Sequence, residues 1–288
     1  VVEVTGTGYA PVGEFFRNGR KLQPEREATL TSLLRAAALC NNAALQENGG
    51  EWTVIGDPTE AALVVAAAKA ELWKDDLEAE YKRVEEIIFT SERKLMTTMH
   101  RPAKGNAIVF TKGAPEILIR RCKYVEKDGG KKELTPAEVK KALEANKVFS
   151  SAAYRTIAVA YKETNSKATE ENGLVFLGVV AMRDPPREEA ARAIANCRKA
   201  GIKVVMITGD SVETAGAIAR NLNLFDGTER QKYSGAWSKK LKKIVEDSTI
   251  TGEELETLTD EEFGEVVEYV NVYARTMPEQ KLRIVNAL

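Results

Sequence analysis

The strongest constraint on the fold is an alternation that begins at Leu174, where apolar runs and amphipathic segments follow one another in regular order. Val175 to Met182 reads as a strand, Glu188 to Ala200 as a helix, Ile202 to Thr208 as a strand and Val212 to Leu222 as a helix. Strands that alternate with helices in this way build a parallel sheet. Within the second strand, Lys203 to Thr208 is an unbroken apolar run after its first residue, which suits a strand covered on both faces. Gly201, following Arg198 and Lys199, takes the place of a helix stop. Upstream of Leu174 the regularity is absent, and short strands mix with amphipathic helices. The change in pattern predicts two domains, 1–183 and 184–288, and a chain of 288 residues is long enough for each to bury a core of its own.

Local signals organise the first domain. Leu30, Leu33, Leu34, Ala37 and Ala38 share one face of a helix ending near Cys40. Asp57 and Pro58 are a cap and a first helical residue, and Glu60, three positions after the cap, completes a capping box for a helix running to about Glu71. Ala107 to Thr111 reads as a strand, with Pro115 starting a helix directly after it. Lys127 to Glu133 reads as a charged loop leading to Thr135, Pro136 and Glu138, a second helix start. In the second domain, residues 223–250 carry the basic run Lys239, Lys240, Lys242 and Lys243. Glu246 and Asp247 dilute that charge at once, so a solvated insertion is preferred over a membrane-surface or autoinhibitory helix.

Charge excludes whole classes of partner. The 42 basic and 43 acidic residues nearly cancel, leaving no global footprint for nucleic acid or anionic lipid. No apolar run approaches the roughly 20 residues that a bilayer span needs. Cys40, Cys122 and Cys197 lack metal-ligand spacing and read as buried thiols of a reducing compartment, which favours the cytoplasm. His100 has no partner pattern and reads as a solvated loop histidine, so no metal site is expected.

A nucleotide site needs donors for phosphate oxygens and a flat apolar surface for the base. The Gly-rich phosphate loop ending in Lys-Ser/Thr is absent, as is GxGxxG after a strand. Lys112 and Gly113, in KGAPE, stand where a strand meets a helix, offering backbone N–H groups, a cation and close approach at the glycine. Phe89, with Arg93 and Lys94 in FTSERKLM, supplies a ring beside two cations, although read alone it is a core phenylalanine next to a solvated basic pair. Thr208, Gly209 and Asp210 form a loop at the carboxyl end of a parallel strand, where open α/β sheets bind ligands. Such a loop suits a transferring phosphoryl group beside Mg²⁺, although Asp210 or Ser211 also serves as a plain helix cap. Lys281, after Pro278, offers a cation to the same place if the strand Val270 to Ala274 lies beside the first. Asp226 to Thr228 (DGT) reads as a turn.

The motifs DPTE, FTSERKLM, KGAPE, DPPR (Asp184 to Arg187), TGD and Arg275 to Lys281 stand in one order that resembles the cytoplasmic catalytic region of P-type cation-transporting ATPases, particularly the calcium-type pumps. ALCNNA (Ala38 to Ala43) and GDPTEAAL (Gly56 to Leu63) share in the likeness, which covers nearly everything except about 223–250. The resemblance implies a nucleotide-binding domain with a mixed, largely antiparallel sheet and helices, followed by part of a haloacid dehalogenase-like parallel-sheet domain. It implies ATP and Mg²⁺ as ligands. Glu60 would contact the adenine amino group, Phe89 stack on the base, and Lys94 contact the nucleotide. Lys112, beside Gly113, would line the adenine pocket, and Arg155, in Tyr154-Arg155-Thr156, would reach the phosphates. Asp184 and Arg187 would lie near the nucleotide at an interdomain hinge. Thr208, Gly209 and Asp210 would surround a phosphorylated aspartate, with Arg275 and Lys281 in the segment that stabilises its phosphate.

The family's DKTGT nucleophile motif does not occur in these residues. The implied partners are therefore ATP, the phosphorylation-site segment and the transmembrane domain of a parent pump at the cytoplasmic face of a membrane, with no membrane insertion by this chain. Ala153 stands where the family often has glycine, and Ser91 where some members carry arginine. Two rival readings remain: a free-standing nucleotide-binding regulatory module, and a haloacid dehalogenase-like phosphatase using Asp226.

Overall fold

The computed structural model describes residues 1–152, 154–165, 169–183, 188–225 and 237–288. Asp184, Arg187, Ala153 and Asp226 to Thr228 lie outside the described residues. The chain divides into two compact units, Val1–Ser150 with Tyr154–Arg183, and Asp184–Leu288 with Ser151–Ala153.

The first unit opens with a small antiparallel sheet of β1 (Glu3–Val4), β2 (Phe15–Arg17) and β3 (Arg20–Leu22). Helix α1 (Ala28–Leu39), a hairpin of β4 (Ala44–Asn48) and β5 (Glu51–Ile55), and helices α2 (Pro58–Ala68) and α3 (Lys74–Glu80) follow. The rest of the unit is β6 (Tyr81–Ile87), β7 (Leu95–Pro102), β8 (Ala107–Gly113), α4 (Pro115–Leu118), β9 (Cys122–Lys127), β10 (Gly130–Glu133), α5 (Pro136–Ser151), β11 (Arg155–Thr164) and β12 (Leu174–Met182). Seven of these strands form one sheet in the order β10-β9-β12-β11-β8-β7-β6, antiparallel throughout except where β9 meets β12.

Strand alternation sorts the side chains into two cores. Met96, Phe110, Val159 and Leu177 face α1 and α2 and pack with Leu34, Ala37, Leu63 and Ala67. Their sequence neighbours Leu95, Ala158, Ala160 and Phe176 face the other way, onto Leu118, Val139 and Leu143. Each fully buried large side chain contributes roughly 1.5–3 kcal/mol. The sheet is therefore held from both sides, and the ends of its strands are fixed points on which loops can be hung.

Several sequence expectations are corrected here. Val175 to Met182 belongs to the first unit's sheet, antiparallel to β11, and does not open the parallel one. Lys127 to Glu133 is no loop: Asp128 and Gly129, both at positive φ, make the two-residue turn of the β9–β10 hairpin. His100 is fully buried in β7, where Nδ1 donates to Tyr81 O (3.0 Å), Nε2 of the neutral ring accepts from Thr98 Oγ1 (2.9 Å), and the ring meets Phe110 edge-on. Burial, aided by the nearby Arg83 and Lys74 charges, lowers its pKa to about 4 against the hydrogen bond at Tyr81. Of the cysteines only Cys40 is buried; Cys122 and Cys197 are partly exposed, and all three are free thiols.

In the second unit, α6 (Glu188–Lys199) ends at Gly201, whose φ of 71° allows Ile202 N to reach back to Cys197 O at 2.9 Å. The strand β13 (Met206–Ile207) leads through Thr208 to α7 (Val212–Asn221), followed by α8 (Lys239–Asp247), β14 (Thr249–Thr251), α9 (Gly252–Glu256), α10 (Asp260–Val266), β15 (Val272–Ala274) and α11 (Pro278–Ala287). Both β13 and β14 pair in parallel with β15, in the order β13-β15-β14.

The doubly covered strand of this sheet is the central β15: Val272 and Ala274 pack towards α7, Tyr273 towards α8, α10 and α11, and all three are fully buried. Lys203 to Thr208 is only half-buried, because β13 is an edge strand and pairs at two residues alone. Nor is Lys239 to Asp247 a solvated insertion. Leu241, Ile244 and Val245 bury one face of α8 in the core, and the lysines stay on the other. Among the described residues no helix is long and apolar enough to cross a membrane.

Candidate functional site

The antiparallel order of the first sheet brings the end of β6, the start of β7, the end of β8 and the start of β11 to one edge, since Ile87 pairs with Thr97, Leu95 with Gly113, and Gly113 with Ala158. Phe89, Lys94, Lys112, Gly113 and Arg155 all lie at this end. The start of α2 meets them there. Asp57 caps that helix, accepting from Thr59 N at 2.8 Å and Glu60 N at 3.2 Å, and Pro58 occupies the first turn. Burial alone would raise the Asp57 pKa, but the Thr59 hydroxyl, these two N–H groups and the Arg155 charge outweigh it and hold the carboxyl below its ordinary value.

Glu60 does not close the capping box. Its Oε1 accepts from Lys112 Nζ at 2.6 Å and its Oε2 from Asn42 N at 2.9 Å. The ammonium wins because Lys112 is only 5% exposed on the α2 face of β8, and a buried charge without a partner costs several kcal/mol. The Glu60 side chain keeps 18% of its surface exposed, so part of the carboxylate faces solvent.

A polar turn stands behind Glu60. Asn41 Nδ2 donates to Glu60 O (2.9 Å) and Ala37 O (3.2 Å), while its Oδ1 accepts from Ala43 N (2.8 Å). Two cations hold the carbonyls around the end of α1: Arg83 donates to Leu39 O (2.9 Å) and Asn41 O (2.6 Å), Lys74 to Asn41 O (3.0 Å) and Ala43 O (2.7 Å). Burial lowers the Lys74 pKa. Sequence reasoning missed Arg83 and Lys74 altogether. Their only signal was ALCNNA, a helix end rich in amides with nothing local to satisfy its carbonyls.

Phe89 is 57% exposed, so the core reading of that ring fails. Its loop is nevertheless held: Lys94, at φ 55°, donates to Thr90 O (2.7 Å), and Ala114 N donates to Lys94 O (3.0 Å). The close approach predicted at Gly113 is made by this Lys94 carbonyl, which an added Cβ would meet at 2.1 Å. The Ala114 N–H is thereby used up, and Pro115 has none, so neither of these residues offers an N–H group to a phosphate. The exposed cations at this end include Lys94 and Arg155, the latter donating to Thr59 Oγ1 at 3.3 Å.

In the second unit the predicted loop is built by main-chain bonds. Thr208 N donates to Tyr273 O (2.9 Å), Arg275 N to Asp210 O (2.9 Å) and Thr276 N to Thr208 O (3.1 Å). These tie the loop after β13 to the loop after β15, both at the carboxyl end of the parallel sheet. Arg275 sits at φ 50° in that turn. Ser211, not Asp210, caps α7, accepting from Thr214 N at 3.3 Å. Gly209 and Asp210 are exposed, as is Lys281 in the second turn of α11. Among the described residues no group of three His, Cys, Asp or Glu side chains could hold a metal ion.

The first unit is thus an α/β unit whose mixed, largely antiparallel sheet carries an exposed aromatic ring, exposed cations and a largely buried Lys–Glu pair at one end, and comparison with known proteins states its family. The family model for the P-type ATPase cytoplasmic domain N matches residues 29–189, and this chain belongs to that family. Across 99% of the chain it is 41% identical to a calcium-transporting ATPase of Bacillus subtilis, and across 94% it is 38% identical to calcium-transporting ATPase 1 of Lactococcus lactis. It is 37% identical to a probable cation-transporting ATPase F of Mycobacterium tuberculosis across its whole length. The chain spans about 30% of the length of these relatives.

Proposed function

We propose that the first unit binds the adenine nucleotide of MgATP at the sheet end described above, as the nucleotide-binding domain of an ATP-driven cation pump. The single observation that carries this reading is a ring exposed to solvent, Phe89, at the same end as the Lys112–Glu60 pair, with Lys94 and Arg155 beside them. A base stacked on Phe89 replaces water on both faces of contact. Each Glu60 carboxylate oxygen has one protein donor and room for a second, which suits an exocyclic amino group. Lys112 neutralises Glu60 beneath the base, while Lys94 and Arg155 remain for phosphate oxygens.

The second unit, in this reading, is the incomplete haloacid dehalogenase-like phosphorylation domain, where Thr208, Gly209 and Asp210 flank the transferring group and Arg275 and Lys281 offset its charge. The donor set fits a phosphoryl group, with a hydroxyl, exposed backbone at Gly209 and two cations. Mg²⁺ accompanying the phosphates would supply further charge neutralisation. Asp184 and Arg187 are assigned to the nucleotide as well. The parent protein would couple ATP hydrolysis through an aspartyl-phosphate to cation transport from the cytoplasmic side, and the relatives' names favour calcium. The chain itself, without DKTGT, would bind ATP and form no phosphoenzyme.

The test is titration of the chain with a fluorescent ATP analogue, displaced by ATP. Phe89→Ala should weaken binding by roughly 5- to 150-fold, the equivalent of about 1–3 kcal/mol for a base stacked on an aromatic ring. Equal affinities for wild type and Phe89→Ala would end the reading. Incorporation of labelled γ-phosphate into the chain would contradict its second part.

A further inference from the structure

The ring proposed to stack on the base is anchored from the face of the sheet opposite Lys112. Arg93 Nη1 donates to Ile88 O at 2.7 Å, the carbonyl immediately before Phe89, and Arg93 Nη2 pairs with Glu171 Oε1. The same Glu171 oxygen accepts from Thr97 Oγ1 at 2.6 Å. Thr97 and Thr111, 3.1 Å apart across β7 and β8, are both fully buried. A hydroxyl has one proton, so Thr97 gives its own to the carboxylate and accepts from Thr111. Thr97 and Thr111 neighbour Met96 and Lys112 in sequence, and strand alternation therefore puts them on the other face.

Glu171 belongs to the segment that precedes β12, and that segment is pinned along its length. Thr169 Oγ1 donates to Glu85 Oε2 on β6 at 2.5 Å, Lys162 reaches Glu170 Oε2 (2.6 Å) and Asn172 O (3.2 Å), and Arg121 donates to Asn172 Oδ1 at 3.1 Å. The strands hold Glu171, Glu171 holds Arg93, and Arg93 holds the main chain of Ile88. With Lys94 fixed at the far end, residues 88–94 are tied at both ends and their apolar tip, Ile88 and Phe89, stays in solvent at 65% and 57% exposure.

We propose that Arg93 and Glu171 are positioning residues for nucleotide binding, presetting the Phe89 ring without touching the ligand. This rests on the nucleotide reading given above. An exposed apolar ring on a free loop would fold back against the protein, and binding would then have to reverse that and order the loop. Holding the loop in the bound form removes that cost.

The experiment is a double-mutant cycle of Glu171→Ala and Phe89→Ala, read by titration of the whole chain with the fluorescent ATP analogue. Glu171→Ala should weaken binding about tenfold in the wild-type background and hardly at all in the Phe89→Ala background, because positioning of a ring that is absent has no effect. Hydrogen exchange should rise at the Lys94 amide and stay unchanged across the β7–β8 ladder. Glu171→Gln, which keeps the shape and loses the charge, should fall between Glu171→Ala and wild type, and serves if the alanine variant does not fold. An unchanged affinity for Glu171→Ala, or a loss of equal size in both backgrounds, overturns the proposal. If Phe89→Ala itself binds like wild type, the nucleotide reading fails instead, and the two failures are told apart by that one variant.

Discussion

The two candidate sites are built on opposite plans. In the first unit, charged side chains are paired and largely buried behind the candidate site: Lys112 with Glu60, Arg83 and Lys74 on carbonyls at and just beyond the end of α1, Arg93 on Glu171. In the second, the loop after β13 is shaped mainly by hydrogen bonds of the main chain, and its candidate side chains, Asp210 and Lys281, stand in solvent. A sheet of seven strands, packed on both faces, can bear the desolvation of paired ions. A strand paired at two residues cannot, so there the backbone carries the geometry. Mutations of the paired charges at the first site should accordingly change stability and binding together, whereas those of the exposed side chains at the second should leave stability alone.

The largest effect should break this pattern most visibly. Lys112→Ala leaves Glu60 without its cation in a partly buried place, and urea unfolding should register a loss of about 2–4 kcal/mol, reduced from a fully buried pair by the exposure of Glu60. Lys281→Ala, measured the same way, should stay within about 0.5 kcal/mol. If the two variants lose equal stability, the contrast is wrong. Phe89→Ala separates binding from stability within the first unit itself: its affinity loss of about 1–3 kcal/mol should come with a shift of the unfolding midpoint near zero, since the ring is mostly in solvent.

Acid should act on the first unit alone through the chain's one histidine. His100 has its folded pKa lowered to about 4 from 6.5, so between those values the unfolded chain takes up a proton that the folded chain refuses. Stability is then complete above about pH 6.5 and falls as pH drops towards 4, by up to about 1.4 kcal/mol per pH unit. Unfolding midpoints at pH 7 and pH 5 should converge in His100→Asn relative to wild type. A smaller effect sharpens the other half: Ser211→Ala removes the α7 cap and should cost the second unit about 1 kcal/mol, visible as earlier melting of that unit only.

Much of the local structure was legible because its causes are local. Asp57 with Pro58, Thr135 with Glu138, and Gly201 each start or stop a helix where their side chain or conformational freedom predicts. Some signals were present and unread, as with Asp128-Gly129, an evident hairpin turn inside what reads as a charged loop. Others were ambiguous in principle. His100 in Met-His-Arg and Phe89 in Ile-Phe-Thr exchange places between expectation and structure, the histidine going in and the phenylalanine staying out. Nothing within a few residues of either decides that, because it depends on which strand edge passes Tyr81 O and on which loop ends in solvent.

The amino-acid order alone determined where several helices begin or end, that β8 is a strand, and which short segments are candidates to carry chemistry, since capping, turn and alternation energies act within a few residues. Tertiary structure decided who meets whom: Glu60 took Lys112 rather than its own helix start, across 52 residues, and Arg93 took Glu171 across 78. Those choices follow from sheet register, and register is set by the simultaneous burial of two apolar faces, a property that no single segment possesses.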